Sequence, residues 1–124
     1  MKNCIENDVA SFWIQDEILF FNYKPGVAIH LPEAIRIVSD RLKLQQGEAY
    51  PILCNIQGVK EVSKQARRYL ATEGTLLTKA VAFISHTPLA HILSQLYVKG
   101  NMPSIPTCVV QTKEEGIKFL KEFK

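Results

Sequence analysis

The stretch Pro51 to Gly74, PILCNIQGVKEVSKQARRYLATEG, restricts the fold more than any other part of the chain. It opens as a short apolar run, Ile52 to Ile56, turns sharply at Gln57-Gly58, and re-enters regular structure as a helix capped by Ser63. A buried strand that feeds a helix through a six-residue loop (57–62) is a working corner of α/β proteins, because ligands and partners meet an open sheet at its carboxyl edge.

Periodicity places the other elements around this corner. Val9 to Ile14 and Ile18 to Tyr23 are rich in aromatic and β-branched residues and predict a hairpin joined by Gln15-Asp16-Glu17. In the second of these strands Leu19, Phe21 and Tyr23 share one face, and Ile18 and Phe20 the other. A strand apolar on both faces predicts a place inside a covered sheet. Lys24-Pro25-Gly26 marks a turn, after which Val27 to His30 fits either a short third strand or the lead-in to a helix. From Pro32 the pattern is helical, with Leu31, Ile35, Val38 and Leu42 as its inward stripe and Gly47 as its left-handed cap. After Gly74, Ala80 to Ser85 reads as a buried strand. Thr87-Pro88 then caps a helix carrying Leu89, Ile92, Leu93 and Leu96 and ending at Gly100. Asn101 to Thr107 reads as a loop and Cys108 to Val110 as a short strand near an edge, given Pro106. Thr112 to Glu115 is a capping box opening a last helix with Ile117 and Leu120 inward. Helices alternating with strands from Pro32 onward predict a largely parallel sheet, with the hairpin as an antiparallel addition.

Composition narrows the function. The chain has 124 residues, a length suited to one domain, and 15 Lys and Arg against 12 Asp and Glu leave a net charge of +3. With no arginine-rich run, that is too mild for nucleic acid. Three widely spaced cysteines, Cys4, Cys54 and Cys108, offer neither a zinc spacing nor a redox pair and fit a reducing cytoplasm. The first residues lack the pattern of a signal peptide, and no apolar run approaches membrane-spanning length. His86 and His91 lie off a common helix face and His30 is remote, so no metal or other cofactor is expected. The chain contains no nucleophile elbow, no glycine-rich phosphate cradle and no acid–base pair, Glu61 being alone in the rim loop. The expectation is therefore a protein that is not an enzyme.

Two constellations stand out. If the strands ending near Ile56 and Ser85 are parallel, the helix starts at Ser63 and Thr87 share one rim. Gly58, Lys64, Arg67, Arg68 and His86 lie near it, and the unpaired amides there would suit an anion or a partner. Arg67 and Arg68 are expected to point sideways or outward, as a solvated face or as a contact for an acidic protein. The aromatic residues Phe12, Trp13, Phe20 and Phe21 of the hairpin are the second constellation, suited to an apolar ligand or to a second copy in a homodimer.

The segments PILCNIQGVKEVSKQARRYLATE, AVAFISHTPLAHILSQLY, MPSIPTCVV and KEEGIKFLKEF, taken in this order, resemble the STAS domain of the anti-sigma-factor antagonists in its single-domain bacterial form. The resemblance covers roughly residues 18 to 124. It implies an α/β fold over residues 1–124 as a single domain, an open mixed sheet of four to five strands with an N-terminal β-hairpin and about four helices. In such antagonists the strand before the second helix carries an aspartate and then a glycine, positions that fall here on Asn55 and Gly58. The loop aspartate falls on Ser63, and the phosphorylated serine falls on Lys64. Lysine cannot take part in a serine phosphoswitch. The wider group also resembles the CRAL-TRIO lipid carriers in fold, which implies an apolar small molecule as an alternative ligand. The reading is a cytoplasmic, non-enzymatic STAS-like module that recognises a protein partner of unknown identity through residues 57–70. A carrier of an apolar molecule or lipid is the alternative.

Overall fold

The computed structural model describes residues 4–86 and 105–124. The helix expected from Thr87 to Gly100 and most of the loop after it lie outside the described residues. Eight strands are described: β1 (Cys4–Glu6), β2 (Ala10–Gln15), β3 (Ile18–Tyr23), β4 (Val27–Ile29), β5 (Tyr50–Asn55), β6 (Val59–Val62), β7 (Thr78–Ile84) and β8 (Thr107–Val110). Three α-helices accompany them: α1 (Leu31–Gln45), α2 (Lys64–Thr72) and α3 (Lys113–Leu120). The main sheet has six strands in the order β1-β2-β3-β5-β7-β8, and β4 and β6 form a separate two-stranded ribbon. The sheet is antiparallel through β1, β2 and β3 and parallel through β3, β5, β7 and β8.

The hairpin forms as the sequence predicts. Its two-residue turn, Asp16 and Glu17, has φ of 53° and 66°, the left-handed pair that matches the twist of the strands it joins. β3 is enclosed on both sides. Leu19 and Phe21 enter one core with Phe12, Ile37, Ile52 and Cys54, while Ile18 and Phe20 enter a second with Leu53, Ala82 and Leu120. The first core is closed by α1 and α2, the second by α3.

The sheet is larger than the expected four to five strands. β1 was not anticipated; it follows from Asn7, whose Oδ1 accepts from the amides of Val9 and Ala10 and turns the chain back along β2. The expected loop after Ile56 contains β6, too short and too mixed in polarity to show a strand period. It forms because the segment Val27–Ile29 offers it an edge in parallel register.

The inward stripe of α1 is rotated from the expected one. Ala34, Ile37, Val38, Arg41 and Gln45 are buried, whereas Ile35 is 43% exposed. The cause is polar. Arg41 donates to the carbonyls of Gly74 (3.0 Å) and Leu76 (3.1 Å) and contacts Gln45, which donates to Glu48 and Leu77 carbonyls at 2.8 Å each. These two polar side chains are thus the ties that hold the connection between α2 and β7 against α1. Gln46 and Gly47, with φ of 50° and 83°, end the helix where the glycine predicted it.

Candidate functional site

The corner between β5 and α2 is built by the backbone first. Asn55 closes β5, and its Oδ1 accepts from the amide of Gln57 at 3.0 Å, turning the chain out of the sheet. Gly58 then passes so close to the turn after β3 that a Cβ there would stand 2.8 Å from both the Lys24 carbonyl oxygen and the Pro25 Cα. The Gly26 amide donates to the Gly58 carbonyl at 2.7 Å. β6 follows, and the Ser63 amide donates to Ile29 at 2.9 Å. The Ser63 hydroxyl accepts from the Ala66 amide at 3.1 Å, so it is the N-cap of α2.

The members of the expected rim come from different elements. His86 meets the Gln57 side chain at the ends of β5 and β7. Ser63, Lys64 and Arg67 lie beyond β6, about 13 Å of extended chain further on. Thr87 lies outside the described residues. No hydrogen bond joins His86 to Ser63, Lys64 or Arg67 among the described residues. The element that spacing did not show is the ribbon, whose β6 stands in the chain between Gly58 and the start of α2. Its end is fixed by a contact that spacing alone could not reveal, His30 Nε2 to Glu61 Oε2 at 2.7 Å.

The two arginines differ. Arg68 is exposed, as expected. Arg67 is half-buried; its Nη1 donates to the Val62 carbonyl at 3.3 Å and the side chain lines a half-open cavity. Lys64 to Thr72, KQARRYLAT, holds no carboxylate, and neither Lys64 nor Arg68 makes an ion pair among the described residues. α2 therefore presents positive charge at its exposed side, adjoining the positive end of its own dipole.

The cavity lies between the first sheet face, α1, α2 and the ribbon. It measures about 100 Å³ and is lined by apolar residues including Phe21, Val38, Cys54, Val59 and Leu70, with Arg41 and Arg67 at its wall. Sites for drug-sized molecules run to roughly 300–1,000 Å³. The four hairpin aromatics do not form one surface around it. Phe12 and Phe21 stack at 4.9 Å on this side, while Trp13 and Phe20 stack at 5.5 Å on the opposite face, because successive strand residues alternate. Of the four, only Phe21 lines the cavity, and Phe12, Phe20 and Phe21 are buried within the chain itself.

Burial pushes the Cys54 thiol well up, with the nearby Arg41 charge acting against it, and burial raises Cys108 as well. Cys4 is exposed. An aromatic disulfide reagent at mildly alkaline pH is therefore expected to label Cys4 first, Cys108 more slowly, and Cys54 only on unfolding. Prompt labelling of Cys54 in folded protein would show that the first core opens to solvent. Among the described residues, no group of three or more His, Cys, Asp or Glu is placed to hold a metal ion. No helix among them is long and apolar enough to cross a membrane.

Comparison with known proteins places this geometry. The family profile described as a domain of unknown function, DUF7793, matches residues 12–124. The chain belongs to the DUF7793 family. No curated protein matches it. Among solved structures, the DUF7793 chain is similar to an uncharacterised protein of the DUF3478 family with a SpoIIAA-like fold from Shewanella loihica PV-4. The TM-score is 0.64 at 11% identity, over 94% of this chain and 98% of that one. The SpoIIAA-like fold is the STAS fold, so the resemblance drawn from the order of elements holds for the architecture.

Proposed function

We propose that this DUF7793 chain is a non-enzymatic regulatory or protein-interaction module of the cytoplasm, which docks an acidic protein surface through residues 57–70. The observation that carries the reading is the exposed face of α2, where Lys64 and Arg68 stand without ion-pair partners among the described residues and no carboxylate intervenes. Opposite charge on a partner would be steered to this face and oriented by it. Ser63 contributes as a cap, and Lys64 occupies the position at which the antagonists carry their phosphorylated serine, so docking here works without that switch. The small size of the half-open cavity supports this reading over a carrier of lipid, whose acyl chain needs several times that volume.

The test is affinity capture with quantitative mass spectrometry from the native host, comparing wild type with the double variant Lys64→Glu/Arg68→Glu. The charge-matched control is Lys118→Glu/Lys121→Glu, at exposed positions on and just after α3. A partner that the wild type and the control retain, that the α2 variant loses by about tenfold or more, and that rebinds as purified protein is the expected result. Equal capture by all three proteins would remove α2 as the docking face.

A further inference from the structure

A second cleft, of about 170 Å³, opens on the sheet face that carries α3, where β3, β5 and β7 end. Its apolar wall is the cross-strand pair Trp13 and Phe20, stacked with ring planes 4° apart. Its polar groups come from different elements. Asn22 and Asn55 are direct partners in the parallel register of β3 and β5 and so lie side by side. His86 follows β7, and Lys113 opens α3 with its ammonium 5.2 Å from the centre of the Phe20 ring. All of these line the cleft, and among the described residues no carboxylate does.

Their hydrogen-bonding capacity is largely unspent. Asn55 uses its oxygen on the Gln57 amide, which leaves its NH2 group as a donor. The half-buried Asn22 side chain has no hydrogen-bond partner among the described residues, and Lys113 makes no ion pair among them. The Gln57 side-chain nitrogen meets Nδ1 of His86, whose ring also lines the cleft.

We propose that this cleft binds a small planar carboxylate of single-ring size. A benzene-sized ligand fills a cavity of about 150 Å³, so the space takes one ring and a carboxylate. The ligand's ring packs on the half-buried Trp13, which Phe20 backs, while Lys113 and the two amides hold the carboxylate. One cation matches one negative charge, so a singly charged anion is taken in preference to a phosphate dianion.

Trp13 is the chain's one tryptophan, so its fluorescence reports this cleft directly. Titration with benzoate is expected to give a saturating change with a midpoint on the order of 1 mM, and benzyl alcohol to bind about tenfold more weakly. Lys113 is exposed, so Lys113→Gln keeps the fold; it should weaken benzoate about tenfold and leave benzyl alcohol unchanged. In amide spectra, benzoate should move the side-chain signals of Asn22 and Asn55. A response that never saturates, equal binding of benzyl alcohol, unchanged benzoate affinity in Lys113→Gln, or unmoved Asn22 and Asn55 signals would each overturn the proposal.

Discussion

Arg41→Ala is expected to lower the unfolding free energy by about 4 kcal/mol, a large part of the roughly 5–15 kcal/mol that holds a domain of this size. Arg41 is 3% exposed and fastens the carbonyls of Gly74 and Leu76, in the connection between α2 and β7. Its loss removes charge-assisted bonds and the stem that fills the wall of the cavity. Buried charges can often be replaced by apolar side chains of similar volume without loss, because their own desolvation is costly. Arg41→Met separates the two effects: it restores the packing but leaves the two carbonyls to share the Thr78 hydroxyl as their side-chain donor. Urea unfolding should place Arg41→Met between Ala and wild type, and Arg41→Lys above Met, since lysine donates but cannot fork. If Met matched wild type, the carbonyl ties would contribute nothing and packing alone would explain the site.

Gly58→Val is expected to cost about 3 kcal/mol, and Gly58→Ala about 2 kcal/mol. The obstacle is backbone on both sides, the Lys24 oxygen and the Pro25 Cα and N, all within 2.9 Å of the position a Cβ would take. None of these atoms can rotate away. Gly116→Ala is the informative comparison. Its Cβ would stand 2.4 Å from Leu53 Cδ1, the end of a flexible side chain. The relief of a helix glycine, about 1 kcal/mol, offsets part of that overlap. Thermal unfolding should therefore rank Gly58→Ala well below Gly116→Ala. The reverse order would mean that the turn after β3 yields more readily than the core beneath α3.

How far the sequence could be read follows from which interactions were local. The hairpin, the strand at Ile52, the Ser63 cap and the Thr112–Glu115 box each depend on residues a few positions apart, and the structure contains all of them. The rotation of α1 depends on carbonyls more than thirty residues away, so the local spacing places Ile35 on the inward stripe. β6 could not be read from Val59 to Val62, because its partner edge is set by Val27 to Ile29 and by the close approach of Gly58 to the turn between. Asn22 was passed over because its significance arises only when β3 and β5 are brought into register.

The small ribbon of β4 and β6 has one more consequence. It stitches together the connections that lead into α1 and α2, with His30 at the start of one helix held to Glu61 just before the other. The two helix starts therefore cannot be displaced independently. A load placed on α2 by a bound partner would pass through the ribbon to the head of α1, and from there along Arg41 back to the far end of α2. Among the described residues, the starts of α1 and α2 and the connection after α2 are thus joined into one circuit by the ribbon, the His30–Glu61 contact and Arg41.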